Sequence, residues 1–303
     1  MTDYFGYENG KFYVEWESCE YIPLSIRDAW EYRARELFKK NPNLILGLSS
    51  GVDSQAILFS FLSQGIPIKT AFFHMKGYND EELEQLRELE EKMNFKTTFI
   101  LDCDPFEIKD EVIEESKKLG HTPYDPFMKK HFIKRLPEDH TFIYGYNGPN
   151  VYVKNGKRYL IDCPGDLSIL RTGAFNFENR IAPVVNWEHD SVIMYSVLTD
   201  QYVDRLMTAF DYYSNIDADA GDDRIPWYGY WDTYIKCMVY SNHWGNELIY
   251  FSKLSGLEKI DYIMNGPIFN YKDNLVVINQ DELLTFFKSK ESRKRFYATF
   301  RLQ

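Results

Sequence analysis

A chain of 303 residues, 44% hydrophobic and 27% charged, has the balance of a globular protein with one large or two modest domains. Its net charge of −11 disfavours a general binder of nucleic acid or of anionic membrane. The four cysteines, Cys19, Cys103, Cys163 and Cys237, stand far apart with no Cys-x-x-Cys, so neither a zinc knuckle nor a disulfide framework is expected.

Widely spaced cysteines, an N-terminus without a basic stretch leading into an apolar one, and the lack of any apolar run of spanning length predict a cytoplasmic protein with no membrane segment. In chain order, residues 4–7 and 11–16 flank Glu8-Asn9-Gly10 and predict a β-hairpin. A helix follows over 25–40, with Ser25 as N-cap, Asp28 as the short partner of a capping box and Pro42 as the stop. Leu44-Ile45-Leu46-Gly47 is an apolar run of strand length. Small residues come next, then a second apolar run unbroken until Gly65, which predicts a buried parallel strand, a tight turn and a helix starting near Asp53 and Ser54.

The alternation continues with a strand over 66–75 and an amphipathic helix over 80–94. That helix carries Leu83, Leu86, Leu89 and Met93 on one stripe, with Glu81, Glu82, Glu84, Glu88, Glu90 and Glu91 as a solvated acidic face. A strand over 96–101, helices over 105–119 and 126–136 and a strand over 141–146 complete it. Such βα units imply a doubly wound parallel α/β sheet, with a nucleotide at the carboxyl ends of the strands, at the switch point. Beyond 150 come a hairpin about Lys154-Asn155-Gly156-Lys157, helices over 189–214, 227–241 and 257–264, a strand over 275–278 and two closing helices. The expected organisation is an N-terminal hairpin and helix over 1–40, a nucleotide-binding α/β domain over 41–165, and a mainly helical substrate or lid region over 166–303.

The turn after the central strand carries the chemistry. Ser49, Ser50 and Gly51 have little or no side chain, so backbone N–H groups can approach a ligand, and the helix dipole behind them favours an anion such as phosphate or pyrophosphate. There is no Gly-Lys-Ser/Thr, hence no P-loop lysine. Ser50 resists a positive φ and predicts an αR or β-like backbone there. Asp53 beside a phosphate loop suits a shared hard cation, Mg²⁺, although an Asp at a helix start can also serve as an N-cap.

The run Ser49-Ser50-Gly51-Val52-Asp53-Ser54 resembles the Ser-Gly-Gly-x-Asp-Ser loop of the PP-loop ATP pyrophosphatases, with Ser50 standing where that pattern has its first Gly. This superfamily includes the synthetase domains of asparagine synthetase and GMP synthetase, NAD synthetase, tRNA thiolation enzymes and sulfonucleotide reductases. The resemblance spans residues 40–150, and the asparagine-synthetase type is the nearest by motif. It implies a Rossmann-like PP-loop fold and ATP and Mg²⁺ as cofactors. Ser49, Ser50, Gly51, Val52 and Ser54 would surround the phosphates, Asp53 would sit at the metal–pyrophosphate position, and Asp53 and Ser54 would be catalytic.

By the same resemblance, Phe73 and His74, within Phe72-Phe73-His74-Met75, would face adenine, His74 without an acid–base role. Gly145 and Asn147 would belong to a second nucleotide or substrate motif, although an ordinary turn fits that sequence equally. The Asp-Glu pair typical of asparagine synthetases is missing there, which leaves the acceptor open. Lys154, Lys157, Arg158, Arg171 and Arg180 are candidate clamps for pyrophosphate, each of them as readily a surface charge.

The expected activity is that of an ATP-dependent ligase: adenylation of an unidentified acceptor, release of pyrophosphate, then displacement of AMP by an amine-type nucleophile. The alternatives are a sulfonucleotide reductase-like or tRNA-modifying relative and a non-catalytic adenine-nucleotide-binding module. No cysteine is expected to serve the chemistry. The Asp217–Asp223 stretch reads as a solvated or lid loop, and the aromatics from Trp227 to Tyr234 as core or pocket. Lys288, Lys290, Arg293, Lys294, Arg295 and Arg301 read as a basic helix face or a nucleic-acid contact, and a homo-oligomer is compatible with the composition.

Overall fold

The computed structural model describes residues 5–8, 11–118, 131–145, 150–154, 157–162, 184–200 and 276–297. Strands β1 (Phe5–Glu8) and β2 (Lys11–Glu17) form the expected antiparallel pair, with Glu8, expected in the turn, paired opposite Lys11; Asn9 and Gly10 lie outside the described residues. Helix α1 (Ile26–Lys40) starts at Ser25, whose Oγ accepts the Asp28 N–H at 3.1 Å. Asp28 does not close the box on Ser25. Its carboxylate accepts from the Leu24 N–H at 2.8 Å and the Tyr21 hydroxyl at 2.6 Å, which pins the approach to the helix instead.

The central sheet holds β3 (Leu44–Gly47), β4 (Lys69–Met75), β5 (Phe99–Cys103), β6 (Thr141–Tyr144) and β9 (Val184–Asn186), all parallel, in the order β5-β4-β3-β6-β9. Helices α2 (Val52–Leu62), α3 (Asp80–Met93) and α4 (Pro105–Lys118) connect its first strands. β3 is buried on both faces: Leu44 and Leu46 pack with Ile57, Phe61 and Phe72, while Ile45 packs with Ala71, Ile108, Phe132 and Phe142 on the other side. This is the doubly wound parallel architecture, and the order of strands reverses between β3 and β6.

Strands β4 and β5 begin three residues later than the pattern suggests. Gly65 (φ 66°) and Asn94 (φ 51°) end the preceding helical segments in left-handed conformations, and short lead-ins follow them. Strand β9 escaped the sequence pattern, since three residues carry no period; the Trp187 N–H extends its pairing to the Tyr144 carbonyl at 2.9 Å.

Beyond the central sheet, β7 (Asn150–Lys154) and β8 (Lys157–Asp162) form the expected hairpin, and β10 (Val276–Asn279) adds to β8. Helix α5 (Ser191–Thr199), within the helix expected over 189–214, is capped by Asp190 and ends at an extended Asp200; residues 201–214 lie outside the described residues. Helix α6 (Gln280–Phe287) is the first of the two expected closing helices. The second is a strand, β11 (Arg293–Tyr297), paired antiparallel with β2. There Arg293 pairs with Glu17 and Glu15, Arg295 with Glu15, and Lys294 with Glu282.

Three pairings, β6–β9, β8–β10 and β2–β11, bring residues before 165 together with residues after it or at the chain's end. The stretches read as helices over 227–241 and 257–264, the Asp217–Asp223 loop and the Trp227–Tyr234 aromatics lie outside the described residues, as does the start of the helix expected over 126–136. Among the described residues, no helix is long and apolar enough to cross a membrane.

Trp16 joins β2 to the C-terminal elements, 1% exposed and edge-on to Phe287 with centroids 5.8 Å apart. Trp16→Ala is expected to lower unfolding free energy by about 3–5 kcal/mol. Denaturant titration checks this, and a loss under about 1 kcal/mol would contradict the packing described.

Candidate functional site

Loop Leu48–Gly51 leaves the carboxyl end of β3 at the point where the strand order reverses. Its fold is set by Ser54, buried in the first turn of α2. The Ser54 hydroxyl accepts from the Ser49 N–H at 3.0 Å and lies 2.9 Å from the Ser49 carbonyl, 3.1 Å from the Ser49 hydroxyl and 3.1 Å from the Gly51 carbonyl. Ser49 Oγ in turn accepts the Gly51 N–H at 3.1 Å, and Gln55 Nε2, fully buried, donates to the Ser50 carbonyl at 2.7 Å. Ser54 is therefore the organiser of the loop as well as a candidate for the chemistry.

No non-glycine residue of the loop has positive φ, which agrees with the expectation for Ser50. Gly51 is the N-cap of α2, extended at φ −68° and ψ 145°. It gives the helix no side-chain cap, so the positive end of the dipole stays open to an anion. Asp53, half-buried, projects from the first turn of this helix.

A second layer comes from β4 and α3. Glu82, expected in a solvated acidic face, reaches the loop instead. Its Oε1 accepts from the Ser50 N–H at 3.2 Å and the Ser50 hydroxyl at 3.4 Å, and its Oε2 accepts from Asn79 Nδ2 at 3.3 Å. Glu90 also leaves the solvated face, accepting the Thr97 N–H at 2.6 Å. Asn79 is held by β4, donating to the Phe73 carbonyl and accepting the Met75 N–H.

His74 is buried with both ring nitrogens engaged, Nδ1 at 2.6 Å from Asp102 Oδ1 and Nε2 at 2.7 Å from Asp80 Oδ1. Its bond to Asp80, with that of the Gly77 N–H, holds the Asp80 carboxyl below the usual carboxylate range. Phe73 lies on the opposite face of the sheet from α2, stacked on Phe132 at 4.8 Å and 5° and near Phe142 at 5.8 Å, so one face of its ring is covered by protein.

Gly145, at the end of β6, comes against α2. A Cβ there would meet Ile57 Cδ1 at 2.6 Å and Asp53 Cβ at 3.8 Å. Loop, Asp53 and Gly145 thus lie together at the carboxyl end of the sheet. Asn147, Arg171 and Arg180 lie outside the described residues, and Lys154, Lys157 and Arg158 are placed by backbone register alone, at the turn end of the β7–β8 hairpin. The sequence pattern missed Glu82, Asn79, Asp102 and Gln55; only the i, i+3 spacing of Asn79 and Glu82 at a helix start was visible. For Mg²⁺, Asp53 fits as a single carboxylate to be completed by ligand phosphates. Among the described residues no group of three or more His, Cys, Asp or Glu could hold a metal.

The two thiols among the described residues, Cys19 and Cys103, are poorly suited to chemistry. Burial, then Asp190, pushes the Cys19 thiol up to about 12. Burial also raises Cys103, outweighing the opposing Arg135, and Glu107, Asp104 and Glu111 add to the rise.

No protein-family model and no curated protein matches the chain. Among solved structures it is similar to an NH3-dependent NAD synthetase from Campylobacter jejuni, 15% identical, with a TM-score of 0.33 over 79% of this chain and 91% of that one. It is also similar to a glutamine-dependent NAD+ synthetase from Acinetobacter baumannii in complex with ADP, 14% identical, with a TM-score of 0.32 over 75% of this chain and 46% of that one. The chain thus spans about half the length of the second. Neither overlap carries a functional argument.

Gly145→Ala is expected to cost about 1–3 kcal/mol of stability, because the new methyl overpacks Ile57 beside Asp53. Ile57→Val, which removes the clashing Cδ1, should restore much of the loss. Thermal unfolding of the single and double variants checks this, and additive losses would refute the close approach.

Proposed function

We propose that the chain is an ATP-dependent adenylating enzyme of the PP-loop type. What carries the reading is the meeting of a Ser-Ser-Gly-Val-Asp-Ser loop, an uncapped helix start and Gly145 at the switch point of a doubly wound parallel sheet. Loop amides and the α2 dipole would bind the β- and γ-phosphates, and Ser54 would hold the loop in shape for them. Bound Mg²⁺ would offset charge on the departing pyrophosphate, with Asp53 as its protein ligand. An acceptor oxygen attacks the α-phosphorus, the bond from that phosphorus to the bridging oxygen breaks, and pyrophosphate leaves with the electron pair. An amine-type nucleophile then displaces AMP from the adenylated acceptor. Positioning and charge stabilisation supply the acceleration.

A thiol-dependent reductase is disfavoured by the raised Cys19 and Cys103. A non-catalytic nucleotide-binding module is the second reading, and one observation favours it: the Ser49, Ser50 and Gly51 amides each already have an acceptor within the protein.

Incubation of the purified chain with MgATP and pooled candidate acceptors should yield AMP and pyrophosphate. ADP and orthophosphate as direct products would overturn the reading, and tight ATP binding without turnover would favour the module. Asp53→Ala should lower turnover on the order of 10²–10³-fold. Replacement of Cys19, Cys103, Cys163 and Cys237 together should leave turnover within about threefold in a folded protein. Loss of activity through a single thiol would bring back the reductase.

A further inference from the structure

We infer that Glu82 is a resident anion of the phosphate loop, occupying the Ser50 amide that a phosphate oxygen would use, and that polyphosphate binds by displacing it. The inference rests on the phosphate-binding reading of the loop. Glu82 is the third residue of α3, an element that connects β4 to β5 and has no covalent neighbourhood with the loop. Its Oε1 nevertheless takes both donors that Ser50 presents, the N–H at 3.2 Å and the hydroxyl at 3.4 Å. Asn79 steadies the other oxygen at 3.3 Å and is itself tied to β4 through the Phe73 carbonyl and the Met75 N–H.

A carboxylate oxygen is the nearest intrachain equivalent of a phosphate oxygen, and it satisfies an amide that would otherwise be left bare on a buried residue. A phosphate at the Ser50 amide and Glu82 in its present place would put two anions in contact, so the two states exclude one another. All three bonds to Glu82 lie at the long end of the range for such contacts, and the side chain is only half-buried on the first turn of its helix. Release is therefore cheap, and it returns a carboxylate to water. A singly bridging ligand such as orthophosphate gains too little to evict Glu82, whereas a metal-complexed polyphosphate reaches the uncapped start of α2 as well as the freed Ser50 donors. The contact thus keeps the empty loop folded and screens out small anions.

The test is calorimetric titration of magnesium pyrophosphate, MgATP and orthophosphate into wild type, Glu82→Ala and Glu82→Gln, with ligand-free thermal unfolding alongside. Glu82→Ala should bind pyrophosphate and ATP about tenfold more tightly and gain measurable orthophosphate binding, while its ligand-free melting temperature falls or is unchanged. Glu82→Gln, which keeps an acceptor oxygen but not the charge, should tighten binding by about threefold and decides the matter if the alanine variant does not fold. A purely structural Glu82 would lose stability and affinity together, and that result, or unchanged affinity, overturns the inference while leaving ATP binding by wild type intact. If no form binds pyrophosphate or ATP, the phosphate-loop reading falls and the inference with it.

Discussion

The carboxyl edge of the central sheet depends on how closely β6 and α2 approach each other. Gly145 has no side chain, and a single methyl there would collide with Ile57 Cδ1 at 2.6 Å and reach contact distance of Asp53. Gly47 does the same service one strand over, where a Cβ would meet the Phe142 ring at 2.7 Å. Two glycines at adjacent strand ends let the backbone close around a loop that bulkier residues would push outward. That packing sets β6 and the first turn of α2, which carries Asp53, side by side.

Within this frame the loop is a self-consistent hydrogen-bonded unit. Ser54, Ser49 and Gln55 tie its carbonyls and amides together, and Glu82 reaches in from α3 to satisfy one more donor. Networks of this kind rigidify a turn when every member is satisfied, because a bare amide in a poorly hydrated place is costly. The same satisfaction makes the loop's donors conditional: an incoming anion must offer a better acceptor than the one in place. The proposed selectivity for larger anions would follow from the same arrangement that makes the loop rigid.

The sequence reading went astray where pairing partners are distant. Val184-Val185-Asn186 is too short for periodicity to mark it as a strand, yet β6 had an unpaired edge for it to join. Arg293–Tyr297 has the charge of a basic helix face, but its alternation across β2 sets Arg293 and Arg295 against Glu17 and Glu15, and only that register shows why the cations are there. Glu82 reads in sequence as one solvated carboxylate among six, since its spacing from Asn79 marks a helix start and not the loop that it faces.

What the sequence by itself determined was local: the Asn-Gly hairpin, the Ser25 cap, the buried run from Leu44 to Leu46, and a small-residue turn ahead of an apolar helix with Asp53 in its first turn. Each follows from backbone sterics, capping or apolar periodicity within a dozen residues. Tertiary structure alone decided the strand order that puts the loop at a switch point, the nearness of Gly145 to Asp53, the engagement of His74 by Asp80 and Asp102, and the seating of Glu82 on Ser50. These are meetings between elements tens of residues apart, fixed by packing geometry that no local pattern encodes.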